Sequence, residues 1–114
     1  MENYLLKFTL DLYHAGPEAI AISTFGGTDS IANAVLSYKM KYLERGITKP
    51  NIVASVNSHP ALNRACWYYN IELRLISYKN YEVDLETTEK AIDQNTIALY
   101  TSFNDYCYGV LEPI

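Results

Sequence analysis

Short apolar runs alternate along this 114-residue chain with longer stretches of helical periodicity. Four runs are predicted as strands, at residues 19–23, 51–55, 71–76 and 95–100. The connections between them are each long enough for a helix, and a strand that returns parallel to its neighbour needs such a crossover. The chain is therefore predicted to fold as an α/β layer, with a mainly parallel sheet flanked by helices on both faces.

The helices fill the spaces between the runs. They are predicted at residues 3–13, 29–44, 61–69 and 85–92. Gly16-Pro17 stops the first helix and Gly46 supplies a left-handed end to the second. Pro60 suits a first helical turn, with Ser58 as a candidate cap, and Asp84 is predicted to cap the last helix.

Composition sets the class of protein. Hydrophobic residues make up 49% of the chain and charged residues 19%, which is typical of a single globular domain. A net charge of −4, with no basic stripe, argues against binding nucleic acid or an anionic lipid surface. Two cysteines without CxxC spacing indicate neither a disulfide framework nor a metal site. With no signal peptide and no long apolar run, the chain is expected in the cytoplasm.

A glycine turn leads into the second predicted helix. Gly26 and Gly27 let the backbone bend sharply, and Thr28 places a hydroxyl beside the first free N–H groups of the helix. Such N–H groups and the helix dipole favour a phosphate. A plain tight turn has the same pattern, so the stretch alone leaves both interpretations open.

A second polar loop follows the strand predicted at residues 51–55. It contains Asn57, Ser58 and His59, and in open α/β sheets ligands bind beyond the carboxyl ends of strands. A histidine in this place can stack on a planar ligand, donate a hydrogen bond or act as an acid or base. It can equally be a loop histidine in solvent.

Several segments, taken in order, resemble one family over nearly the whole chain. They are TFGGTDS (24–30), RGITKPNIVA (45–54), SHPALNRA (58–65), YEVD (81–84), AIDQNTIA (91–98) and YGVLEPI (108–114). Together they are similar to the large domain of the sphingosine-1-phosphate lyases, within the group II pyridoxal-phosphate-dependent decarboxylase family. Residues 1–114 are then expected to form a single partial domain of a fold-type I enzyme.

The resemblance implies a cofactor, a reaction and the residues of a site. Gly27 and Thr28 match the positions that hold the phosphate of pyridoxal 5′-phosphate, and Gly26 permits the turn. His59 matches the histidine that stacks on the pyridine ring and orients the reacting groups. The implied reaction cleaves a phosphorylated long-chain base to a fatty aldehyde and phosphoethanolamine. An amino-acid decarboxylase of the same family and a non-catalytic remnant are the alternatives.

The chain also departs from the family pattern. Phe25 replaces a serine, Asp29 replaces a glutamate, and Cys107 and Tyr108 stand where relatives have proline and histidine. The family's pyridinium-pairing aspartate and Schiff-base lysine fall beyond Ile114, so the isolated chain is expected to be inactive. The resemblance implies that the complete protein is an obligate homodimer. It also implies a location at the cytosolic face of the endoplasmic reticulum if the protein carries the membrane anchor of the eukaryotic lyases.

Overall fold

A computed structural model describes residues 1–112. Its helices are α1 (Glu2–Leu12), α2 (Gly27–Leu43), α3 (Pro60–Tyr68) and α4 (Leu85–Ala91). Its strands are β1 (Asn51–Ser55), β2 (Glu72–Ile76), β3 (Tyr78–Lys79), β4 (Glu82–Val83) and β5 (Thr96–Tyr100). The chain divides into two compact units, one formed by residues 1–30 and the other beginning at Ile31. Within residues 1–112, no helix combines the length and the hydropathy needed to cross a bilayer.

The first unit contains α1 and the turn that opens α2. The predicted first helix is confirmed, but α1 buries none of its residues, and Tyr4, Leu5, Phe8 and Leu12 are exposed. The strand predicted at residues 19–23 is wrong, because that segment is irregular. A strand persists only where a neighbour pairs with its N–H and C=O groups, and the described residues provide no such neighbour for it.

The second unit is built on a parallel sheet of three strands in the order β2-β1-β5. All five residues of the central strand β1 are buried, which its apolar sequence predicted. On one face, Ile52 packs with Leu62 and Cys66 of α3 and with Val35 of α2. Burial raises the pKa of the Cys66 thiol to about 11, so this cysteine behaves as a core residue.

A short antiparallel hairpin, β3–β4, was missed by the sequence analysis. Its two-residue turn puts Asn80 and Tyr81 at φ values of 56° and 66°, in the left-handed region. Asparagine adopts this region readily, whereas tyrosine does so at a cost. The Tyr81 ring packs edge-on against Tyr108, with centroids 5.2 Å apart, and this contact helps to offset that cost.

A polar cluster ties the three strands together at their amino ends. Asn51 is fully buried, and its Nδ2 donates to Asp93 Oδ1 at 2.9 Å while its Oδ1 accepts from Thr96 Oγ1 at 2.7 Å. The guanidinium of Arg74, on β2, donates to Asp93 Oδ2 at 2.8 Å. The bond from Asn51, followed by those from the Asn95 N–H and Arg74, lowers the pKa of Asp93 to about 2. Asp93 therefore joins all three strands through its charged form.

This cluster predicts a pH dependence of stability. Because the folded-state pKa of Asp93 lies below its ordinary value of 3.8, its contribution is complete above about pH 4 and is lost as the pH falls towards 2. We expect Asp93→Asn to lower the free energy of unfolding at pH 7 and to flatten the decline between pH 4 and 2, as measured by urea unfolding. Glu86→Gln, which breaks only an exposed pair with Lys90, is the control. An unchanged decline in Asp93→Asn would contradict the assignment.

Candidate functional site

The glycine turn of the first unit leads directly into a helix, as predicted. Gly26 has a φ of +110°, which only glycine adopts without strain, and α2 begins at Gly27. The carbonyl of Gly26 accepts from the Ser30 N–H at 3.0 Å, which closes the first helical turn. A Cβ placed on Gly26 or Gly27 would meet no atom within 4 Å, so the space around the turn is open. Thr28 is exposed in this first turn, where helix N–H groups have no carbonyl to bind.

Polar side chains hold this turn in shape. The Phe25 N–H donates to Asp29 Oδ2 at 3.1 Å, and the hydroxyls of Thr24 and Ser30 are 2.6 Å apart. The Phe25 ring is fully exposed, so this bulky residue does not fill the turn. The Phe25 ring therefore does not block the turn at Gly26, Gly27 and Thr28.

His59, in the second unit, follows the carboxyl end of β1 and is the N-cap of α3. Its Nδ1 accepts from the Ala61 N–H at 3.1 Å, so the neutral ring carries its proton on Nε2. The prediction that Ser58 caps this helix is wrong, because the histidine one position later makes the capping bond instead. The predicted place of Pro60 in the first turn is confirmed. The imidazole is exposed, with its orientation fixed by the cap.

A cleft of about 570 Å³ opens beside His59. The loop after β1 forms one wall and the loop after β5, including the exposed Cys107, forms the other. Ser58 lines the cleft and is buried, and its hydroxyl has no hydrogen-bond partner. The Asn57 amide nitrogen, on the same wall, is also buried without a partner. These atoms lie at the carboxyl ends of parallel strands, where the sequence predicted a ligand.

Glu112 anchors the loop that forms the second wall. This buried carboxylate accepts from the Tyr78 hydroxyl at 2.5 Å and from the Ser102 N–H at 2.7 Å. Burial, followed by the bond to Glu112, raises the pKa of Tyr78 to about 12. Glu112 was not predicted as a site residue, although it lies in the last segment of the family resemblance. An acidic residue between Leu111 and Pro113 gives no local signal of burial.

A second carboxylate shapes the same loop from within. Asp105 is almost completely buried and accepts from the Tyr108 N–H at 2.5 Å, while its own N–H donates to the Val110 carbonyl at 2.8 Å. The Tyr108 ring packs edge-on against Tyr78, with centroids 5.6 Å apart. Tyr108, one of the departures from the family pattern, is therefore part of a packed aromatic contact with the β3–β4 hairpin.

The structure groups the predicted site residues in two sets. Gly26, Gly27 and Thr28 share one turn in the first unit. His59 lies in the second unit, in the wall of the cleft with Asn57 and Ser58.

Comparison with known proteins identifies relatives along the whole chain. The chain is 36% identical over 115 aligned residues to sphingosine-1-phosphate lyase 1 of Rattus norvegicus, covering 100% of this chain and 20% of that relative. It superposes on the sphingosine-1-phosphate lyase of Burkholderia pseudomallei with a TM-score of 0.83, at 30% identity, over 99% of this chain and 28% of the other. No family model matches the chain.

A more distant structure shares the fold. The glutamate decarboxylase of Lactobacillus brevis superposes with a TM-score of 0.72 at 19% identity, over 97% of this chain and 28% of that chain. The predicted fold class is confirmed, because the parallel sheet and its helices match the fold of fold-type I pyridoxal-phosphate enzymes. The chain spans about a fifth of the length of the curated relatives it matches first.

Two substitutions at His59 can separate its capping of α3, which affects stability, from the presence of its imidazole ring. We expect His59→Ala to lower the free energy of unfolding by about 1 kcal/mol, because the Ala61 N–H loses its acceptor. His59→Asn keeps a capping oxygen and should recover most of that loss in urea unfolding, while it still removes the ring. Equal stability of the wild type and His59→Ala would show that the cap contributes nothing.

Loss of the hydrogen bond between Tyr78 and Glu112 is expected to lower stability more than loss of the His59 cap. Tyr78→Phe leaves a buried carboxylate oxygen without its phenol donor, and we expect a loss of roughly 2 kcal/mol in the free energy of unfolding. Tyr106→Phe is the matched control, because the Tyr106 side chain is 98% exposed. If both variants unfold at the same urea concentration, Glu112 does not depend on Tyr78.

Proposed function

We propose that this chain is the cofactor-binding segment of a pyridoxal-phosphate-dependent carbon–carbon lyase. The proposal starts from its similarity, along its whole length, to the sphingosine-1-phosphate lyases. The substrate would be a phosphorylated long-chain base, and the products a fatty aldehyde and phosphoethanolamine. The observation that carries the proposal is the turn at Gly26, which opens a helix N-terminus to an anion in a chain whose relatives carry this name.

The residues of the turn fit the phosphate of the cofactor. Gly27 and Thr28 would hold it through first-turn N–H groups and the Thr28 hydroxyl, and the α2 dipole would add to the attraction. The positive φ of Gly26 lets the backbone approach closely. The open space at both glycines supports this assignment, since any side chain there would occupy part of the site.

His59 fits the pyridine ring. Its Nδ1 is engaged by the helix cap, which leaves the face of an oriented imidazole available for stacking and an Nε2–H available as a donor. When bound, the cofactor supplies an electron sink, and the groups around it select which bond to the substrate Cα is cleaved. His59 is thus the residue of this chain that we assign to both ring binding and catalysis.

Other parts of the proposal concern the whole protein. We propose that residues 1–114 are part of one cofactor-binding domain, that the enzyme is a homodimer, and that its substrate is a small phosphorylated lipid. The same relationship supports a cytosolic location, at the face of the endoplasmic reticulum where the protein carries the anchor of the eukaryotic lyases.

Binding of pyridoxine 5′-phosphate tests the phosphate site. This compound carries the ring and phosphate of the cofactor but has an alcohol in place of the aldehyde, so it cannot condense with lysines. We expect Thr28→Val to weaken binding to the 114-residue chain about tenfold, because one hydrogen bond to a charged group is lost. Gly26→Ala should weaken it further, since alanine is strained at a φ of +110°. Isothermal titration or ligand-detected NMR measures both.

Thr48→Val, an exposed threonine outside the turn, is the matched control. If Thr28→Val, Thr48→Val and the wild type bind pyridoxine 5′-phosphate with equal affinity, the phosphate does not bind at this turn. In that case the proposed function would lose its main support.

A further inference from the structure

The cleft beside His59 contains hydrogen-bond donors that the fold does not use. Ser58 is 5% exposed, and its hydroxyl has no partner. The Asn57 Nδ2 is also buried and has no partner. Both residues line the cleft. Folding normally provides a partner for each buried polar atom, because leaving it unpaired costs stability. Two such donors in adjacent residues therefore require an explanation.

The charge around the cleft indicates what kind of acceptor fits. The described residues that line it include no lysine, arginine, aspartate or glutamate. The buried carboxylate of Asp105, in the loop of the opposite wall, would repel a strongly anionic group. A phosphate is therefore poorly suited to this cleft. A single oxygen on a planar ring suits it better, because the Ser58 hydroxyl and the Asn57 amide can both donate to it.

We propose that Asn57 and Ser58 bind the 3-hydroxyl edge of the cofactor's pyridine ring, while His59 lies against its face. This inference rests on the proposed function, but it assigns ring recognition to a site that works without the phosphate turn. In this proposal, rotation about the Cα–Cβ bond would turn the Ser58 hydroxyl towards a ligand in the cleft that Ser58 lines. The ligand class is a 3-hydroxypyridine, and recognition consists of N–H and O–H donation to the ring oxygen.

The stability of the free chain gives the first test. A hydroxyl kept unpaired for a ligand lowers the stability of the ligand-free protein, so removing it should stabilise the fold. We expect Ser58→Ala to raise the Tm in the absence of ligand. Ser37→Ala is the matched control, because the Ser37 hydroxyl donates to the Asn33 carbonyl at 2.8 Å on an exposed helix face. A lower Tm for Ser58→Ala would show that the hydroxyl serves the fold, and would overturn the inference.

Ligand binding gives the second test, with pyridoxine as the probe because it has the 3-hydroxyl but neither phosphate nor aldehyde. Saturation-transfer NMR on the 114-residue chain should show pyridoxine binding about tenfold more tightly than its 3-deoxy analogue. Ser58→Ala and Asn57→Ala should each reduce this preference, and Ser37→Ala should leave it unchanged. Equal binding of pyridoxine and the 3-deoxy analogue by the wild type would overturn the inference.

The two proposals fail in different ways. Thr28→Val should weaken binding of pyridoxine 5′-phosphate without changing that of pyridoxine, because pyridoxine has no phosphate. If Thr28→Val has no effect on the phosphorylated compound, the phosphate site is wrong and the ring site is judged by the Ser58 results alone. If Ser58→Ala leaves the preference for the 3-hydroxyl intact, the ring site is wrong while the phosphate site stands.

Discussion

Burial of the central strand is the constraint on which the rest of this structure depends. β1 lies between β2 and β5, so both of its edges are hydrogen-bonded, and all five of its residues are buried. A polar side chain buried in that position costs stability unless its polar atoms are paired. Asn51 meets this condition because its amide nitrogen and oxygen bind Asp93 and Thr96. The amino ends of the three strands are thereby fixed together.

The carboxyl end of the same strand is where the chain places its unused donors. Asn57, Ser58 and His59 follow β1 directly, and the cap on α3 fixes the ring of His59. The opposite wall of the cleft is held by Glu112, which bonds the loop after β5 to Tyr78 of the hairpin. Asn51 and Asp93 at the amino ends of the strands are thus paired, whereas Asn57 and Ser58 after the carboxyl end of β1 keep donors without a partner. This asymmetry is what a binding site on an open parallel sheet requires.

Sequence reasoning predicted the elements whose signals are local. The apolar run of β1, the glycine that ends α2 and the aspartate that caps α4 each carry their own physical cause. The segment at residues 19–23 has an equally apolar composition, but strand formation depends on a pairing neighbour, which composition does not show. The hairpin was missed because its turn uses Asn80 and Tyr81 rather than a glycine.

The site was predictable to a similar degree. The turn at Gly26 and the histidine after β1 were found from residue type and position, and the resemblance to a family gave them roles. The capping role of His59 was not found, because histidine is an uncommon cap and Ser58 is the more usual choice. The burial of Glu112 and Asp105 depends on contacts made after the loop has folded, so no local pattern could reveal it.

The two cysteines differ in burial, so their reactivity can report on opening of the core. Cys66 is closed within the core with a raised pKa, and Cys107 lies exposed at the cleft. A thiol reagent should therefore modify one sulfur in the native chain and reach the other only when α3 separates from the sheet. The rate of that second modification would measure how often the core opens, without any added label.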